Sequence, residues 1–203
     1  MNDENILREK ICLLAKSMYD RGLTGGSTGN ISSRTSDGGL LLSPTGTSFG
    51  RLDPGRLSRF DVNGNFMSGD LPTKEMPLHM AFYETRSSAG AVVHLHSCHS
   101  VALSLMPDVD ENDFLPHLTP YSIMKLGRVK LLPFYLPGDP EMGNAVRGLS
   151  GKRSAVMLAN HGPVVAMDQL SINFPKRIIS LSLEPTFLHS HKPRQQITVG
   201  RRL

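Results

Sequence analysis

The chain has 203 residues and a formal charge of +4, with 39% hydrophobic and 20% charged residues, enough to bury a core as one domain without covalent staples. Its two cysteines, Cys12 and Cys98, read as reduced thiols, and neither a leader core in "MNDENILREK" nor any run near the ~18 apolar residues of a membrane span is present. A soluble cytoplasmic protein is the expectation; the cationic excess sits in the tail ("KRIISL", "HKPR", "GRRL") without aromatic interleaving, so neither nucleic acid nor a membrane is expected as a partner.

In chain order, residues 3–21 carry Leu7, Ile11, Leu14 and Met18 at three-to-four spacing and end at Gly22, which predicts an amphipathic helix. "TGGSTGNISSR" reads as a glycine-rich loop feeding a strand, and "LLLSPTGTSFG" as a short strand broken by a turn. "RLSRFDVNGNFMSGD" reads as two strands joined by a two-residue hairpin at Asn63-Gly64. Residues 77–86 suit a helix with Pro77 in its first turn. "AGAVVHLHS" is the most strand-like segment, and "SCHSVALSLM" resumes helical spacing. "RVKLLPFY" and "SAVMLANHGPVVAM" read as two further strands around a helix from about Glu141 to Leu149, with the chain leaving the sheet at the Gly162-Pro163 break after His161. This order predicts an α/β fold, a three-layer α/β/α sandwich around a mixed, largely antiparallel sheet.

Chemistry concentrates at the ends of these elements. In an extended chain, side chains two apart share a face, so His94 and His96 stand side by side, about 6 to 7 Å apart, able to share one metal ion. His161 ends another apolar strand, and Glu75 precedes the helix that carries His79. Three histidines, with or without the glutamate, and an open position are what a catalytic divalent metal requires. Each has a structural alternative. His161 could serve a backbone carbonyl, Glu75 could favour the helix dipole, and His79 and His99 read as structural, with His79 placed to support Glu75. The loops around Gly29 and Asn30, Thr45 and Gly46, and Thr73 and Lys74 combine flexible backbone with hydroxyl, amide or ammonium donors suited to a phosphate. None fits a nucleotide-binding loop, so a small phosphorylated substrate is expected.

The ordered set "STGNIS", "SPTG", "PTKE", "VVHLHS" and "ANHGPVV", spanning about residues 5–168, resembles the class II aldolase and adducin family. The resemblance implies one zinc ion per subunit, with manganese or cobalt as alternatives, held by His94, His96 and His161. Glu75 is then a fourth ligand or the acid/base group. It also implies a phosphate site lined by Gly29, Asn30, Thr45, Gly46, Thr73 and Lys74, a cyclic homotetramer, and Tyr121 as a proton-relay, substrate-contact or interface residue. "TPYSIMKLGRV", "PFYLPGDPEMG" and the Thr-Lys-Glu loop look like the 3-oxo-tetronate 4-phosphate decarboxylase branch, which implies loss of CO₂ from a phosphorylated four-carbon sugar acid. An L-fuculose-phosphate aldolase or a 4-epimerase is the alternative of the same class, and an adducin-like interaction module the alternative without chemistry.

Residues 1–168 form the family-like domain in this reading, and 169–203 an atypical C-terminal segment, disordered or altered. Where the family continues into a Glu-, Leu- and Ala-rich helix, this chain carries Pro175, Pro185 and Pro193 and a basic finish. That ending reads as out of frame, a hypothesis that fails if no other frame of the coding sequence encodes an amphipathic helix.

Overall fold

A computed structural model of the chain describes residues 3–115, 124 and 126–170. The expectations for Tyr121 and for nearly all of the segment 169–203 lie outside these residues. Eight strands form one sheet: β1 (Asn30–Arg34), β2 (Leu40–Leu42), β3 (Ser58–Phe60), β4 (Phe66–Ser68), β5 (Ala91–His94), β6 (Lys130–Leu132), β7 (Ala155–Leu158) and β8 (Gly162–Met167). Their spatial order is β4-β3-β2-β1-β5-β8-β7-β6. Every neighbouring pair is antiparallel except β6 and β7. Those two are joined by a helix, the crossover that a parallel pair requires.

Among the described residues, the α-helices with defined bounds are α1 (Asp3–Asp20), α2 (Met76–Thr85), α3 (Cys98–Ser104) and α4 (Glu141–Gly148), which cover the sheet. α1 buries Ile11, Leu14, Ala15 and Met18, one stripe at helical spacing. It ends in a Schellman motif: Gly22, at φ +68°, donates to the Tyr19 carbonyl, and Leu23 donates to that of Met18.

Alternation along the strands divides the core in two. Leu41, Ala91, Val93, Ala155, Met157 and Val165 pack with α1 and α3, whereas Leu40, Leu42, Val92, Val156, Leu158, Val164 and Ala166 pack with α2 and α4. Helices therefore lie on both faces, the α/β/α arrangement expected from the sequence. Because both faces are buried, the central strands read as continuous apolar runs. Each fully buried Leu or Val contributes roughly 1.5–3 kcal/mol.

Two local expectations are corrected. "SAVMLANHGPVVAM" is not one strand followed by an exit from the sheet; it is the β7–β8 hairpin, in which Asn160 adopts φ +57° and the chain turns straight back. The β3–β4 turn holds three residues rather than two. Asp61 N–H donates to the Asn65 carbonyl, leaving Val62, Asn63 and Gly64 in the loop, with Gly64 at φ +82°.

The β7–β8 hairpin crosses the end of β5 closely. A Cβ on Gly162 would stand 1.9 Å from the Leu95 carbonyl oxygen and 3.2 Å from His94 Cε1. Gly162→Ala should therefore push β8 off β5 and cost about 1–3 kcal/mol, read as a lower urea midpoint at unchanged slope. An unchanged midpoint would show that the hairpin yields freely.

Candidate metal centre

Three strand ends meet at one place. Antiparallel pairing sets Asn30, the first residue of β1, opposite His94, the last of β5, while β8 pairs His94 with Val164. His161 sits in the turn just before β8. His96 lies two residues past β5, with Leu95 between them buried in the α1 side of the core. From the opposite face, α2 contributes Glu75 as its N-terminal cap residue. Its carboxylate makes no capping hydrogen bond to the helix.

The carboxylate joins the imidazoles instead. His94 Nε2 is 3.1 Å from His96 Nε2 and 3.4 Å from His161 Nε2. Glu75 Oε2 stands 3.4 Å from His94 Nε2, and Oε1 stands 3.3 Å from His161 Nε2. One ligand atom from each of the four residues falls within 4.8 Å of all the others. Donors about 2.0–2.1 Å from a common ion are separated by about 3.3–3.4 Å in tetrahedral geometry, so these spacings fit a shared divalent cation.

Hydrogen bonds behind the donors orient them. His94 Nδ1–H donates to the Pro163 carbonyl at 3.0 Å, leaving Nε2 with its lone pair toward the cluster. The Asn30 amide donates to Glu75 Oε2 at 2.7 Å. Burial pushes His94 down to about 3, reinforced by His161 and His96 against the pull of Glu75. Burial also lowers His96. Glu75 is desolvated, which by itself raises a carboxyl, but the hydrogen bond from His161, the facing His94 and the Asn30 amide hold it well below the usual carboxylate range. An ionised carboxylate beside imidazoles that burial keeps from protonating, those of His94 and His96, is a ligand set for a cation.

A cavity opens beside the cluster. It is lined by Gly29, Asn30, Thr45, Gly46, Thr73 and Lys74, all six residues singled out for phosphate, and reaches Glu75 and His96. Backbone bonds from Thr45 N–H to the Leu71 carbonyl and from Thr73 N–H to the Ser43 carbonyl tie two of its loops together. Ser27, Thr28, Pro44, Pro137 and Gly138 complete the lining. None of these five was singled out as a site residue, although Ser27 and Thr28 lie in the "STGN" loop, Pro44 in "SPTG", and Pro137 and Gly138 in "PFYLPGDPEMG".

His79 is not a ligand: its ring bonds Ser32 and Asn30. Ser32 and Tyr83, which continue this contact, escaped the sequence reading. Their signal was the i+2 spacing of Asn30 and Ser32 on one strand and the i+4 spacing of His79 and Tyr83 on one helix. His99, half-buried in α3, stands apart from the cluster.

Residues 9–171 match the family model of the class II aldolase and adducin N-terminal domain, and the chain belongs to that family. It is 44% identical over 167 residues, 82% of this chain and 79% of the relative, to a 3-oxo-tetronate 4-phosphate decarboxylase of Escherichia coli O6:H1. A 3-oxo-tetronate 4-phosphate decarboxylase of Cupriavidus necator is 44% identical over 165 residues, 81% of this chain and 76% of the relative. The crystal structure of YgbL from Escherichia coli superposes with a TM-score of 0.86 at 36% identity, covering 97% of this chain and 96% of that one. Among the described residues, no helix is long and apolar enough to cross a membrane.

Complete burial lowers His79 from 6.5 to about 4. Between those pH values the unfolded chain binds a proton that the folded protein refuses, so stability falls as pH drops through the window. The slope from this one group is about 1.4 kcal/mol per pH unit. Urea unfolding at pH 7 and pH 5 should show the loss, and His79→Gln should reduce it; equal losses in the two proteins would contradict the assignment.

Proposed function

We propose that this protein is a metal-dependent carbon–carbon lyase that decarboxylates a 3-oxo-tetronate 4-phosphate to dihydroxyacetone phosphate and CO₂ in sugar-acid catabolism. The observation that carries the reading is the convergence of Glu75, His94, His96 and His161 beside a cavity that contains Lys74 and the Thr45 and Thr73 loops. Sequence identity to named decarboxylases over four-fifths of the chain supports the same activity.

Glu75, His94, His96 and His161 would hold a divalent cation, which would supply Lewis acidity for the negative charge that develops on the substrate as CO₂ leaves. Zinc is the ion we assign, one per subunit, with manganese and cobalt accommodated by the same histidine and carboxylate donors. The cavity would take the phosphate, with the Lys74 ammonium and the threonine hydroxyls sharing its charge. This anchors the far end of a four-carbon acid while its carboxylate end lies toward the histidines.

Loss of CO₂ breaks the C1–C2 bond and leaves its electron pair on the C2–C3 unit as an enediolate; one proton delivered to C2 then gives dihydroxyacetone phosphate. Glu75 is our candidate for handling that proton. It is ionised in the resting site, so it first acts as a ligand or base and donates only after taking up a proton. We further propose a homotetramer in the cytoplasm, with Tyr121 contributed near the site as a relay or contact residue.

The test is CO₂ release from 3-oxo-erythronate and 3-oxo-threonate 4-phosphates, run beside aldehyde release from L-fuculose phosphate. CO₂ release in the first pair alone is the expected result, and aldehyde release without CO₂ would replace the decarboxylase with an aldolase. Glu75→Gln should lower turnover by about 10²–10⁴-fold, the scale of a lost acid/base group, with the site still filled at saturating zinc by the three histidines but at weaker zinc affinity. Loss of metal from that variant would instead make Glu75 chiefly a ligand.

A further inference from the structure

Behind Glu75 runs a line of buried polar groups that reaches through the sheet-facing side of α2. Tyr83 Oη lies 2.8 Å from Ser32 Oγ, which lies 2.7 Å from His79 Nδ1. His79 Nε2 lies 2.5 Å from Asn30 Oδ1, and the amide nitrogen of Asn30 lies 2.7 Å from Glu75 Oε2. All five residues are buried, with His79 and Ser32 at 0% exposure. Polar groups so placed are held by one another.

The chemistry of the members fixes the direction of every bond. Glu75 is a carboxylate with no proton to give, so Asn30 must present its NH₂ group there and its carbonyl oxygen to His79. That oxygen can only accept, so His79 must carry its proton on Nε2. The imidazole is neutral, so Nδ1 holds a lone pair and must accept from the Ser32 hydroxyl. Ser32 has then spent its proton, and its oxygen accepts from Tyr83. The outer end is anchored too: Arg34 stacks 4.8 Å from the Tyr83 ring centroid and donates to the Tyr83 and Ala89 carbonyls at 3.2 and 3.0 Å.

We propose that His79, as the Nε2–H tautomer whose Nδ1 accepts from Ser32 while Ser32 accepts from Tyr83, is a positioning residue that holds the Asn30 amide in the one orientation able to donate to the Glu75 carboxylate. The opposite tautomer would set a lone pair against Asn30 Oδ1. Asn30 would then flip, and its oxygen would face Glu75 Oε2. The inference rests on reading Glu75 as part of a metal centre, and it adds to that reading two residues, Ser32 and Tyr83, that touch neither metal nor substrate.

The experiment needs no substrate. In the metal-free protein, imidazole ¹⁵N shifts should report a proton on Nε2 and none on Nδ1 of His79; the reverse pattern overturns the proposal. Zinc affinity is then measured by competition with a chromophoric chelator, with thermal unfolding to verify folding of each variant. His79→Leu should weaken zinc by about 10- to 100-fold, the usual scale for removing a group that orients a ligand. His79→Gln, whose amide can still donate to Asn30, should recover most of that loss.

Ser32→Ala, which removes one oxygen from β1, should weaken zinc in the same direction by a smaller factor. It also carries the test should His79→Leu fail to fold. Folded His79→Leu or Ser32→Ala proteins within twofold of the parent's zinc affinity would overturn the proposal. A wrong substrate assignment leaves all these readings intact. A wrong metal assignment would show as parent protein that binds no divalent ion, and the tautomer measurement would still decide the chain of bonds.

Discussion

The pairing of β5 between β1 and β8 is the constraint from which the site follows. Because β1 meets β5 with Asn30 opposite His94, and β5 meets β8 with His94 opposite Val164, three backbones end at one point in the middle of the sheet. A one-residue slip of β5 would turn His94 and His96 toward α1 and bring the wholly apolar Val93 and Leu95 to the centre. Register is protected against that slip by the core itself. Val92 packs with α2 while Ala91, Val93 and Leu95 pack with α1, so any shift exchanges both layers at once.

Electrostatics then suits these side chains to a cation rather than to a structural knot. Three imidazole nitrogens crowd within hydrogen-bond distance, but His94 has already given its proton to Pro163, and burial keeps His94 and His96 from taking another. The lone pair of His94 Nε2 therefore faces the His96 and His161 nitrogens 3.1 and 3.4 Å away, a place suited to a cation. Glu75 supplies the opposite sign at 3.3 and 3.4 Å, and a buried carboxylate is tolerated only where donors or cations satisfy it. His161 Nδ1 is buried with no hydrogen-bond partner among the described residues, so nothing there competes with the direction of its Nε2.

Much of this was legible from residue spacing, and the parts that were not have identifiable causes. α1, α2, β5 and the three-layer arrangement follow from periodicity and apolar runs, since burial on both faces leaves a sequence mark that tertiary packing does not erase. The β7–β8 hairpin did not follow, because Pro163 reads as a strand breaker. In the fold it stands near the start of β8, where its missing N–H is not needed and its carbonyl accepts from both Leu95 N–H and His94 Nδ1–H. The Asn63-Gly64 turn was placed correctly but given the wrong length, since Gly64 alone takes the left-handed conformation. Among site residues, Glu75 and the three histidines were legible because metal ligands are chemically distinctive. Ser32 and Tyr83 were not, because a serine in a strand and a tyrosine in a helix acquire meaning only when β1 and α2 are packed together.

The two supports of the ligand set share a logic that has little to do with charge. Pro163 offers a carbonyl that can only accept, and so dictates which nitrogen of His94 is free. The Glu75 carboxylate can only accept, and so dictates which end of the Asn30 amide faces it and leaves the Asn30 oxygen to His79 Nε2–H. In both cases a group with a single permitted role fixes a neighbour that has two. The supports also come from separate halves of the fold, β8 for His94 and the β1–α2 contact for Glu75. Glu75 in turn follows directly on Lys74 and Thr73, whose loop is tied to the Ser43–Gly46 loop by backbone bonds. A carboxylate one peptide from a cavity-lining lysine cannot be displaced without moving that lysine, so the geometry of the Glu75–histidine cluster and that of the neighbouring cavity are set together at the start of α2.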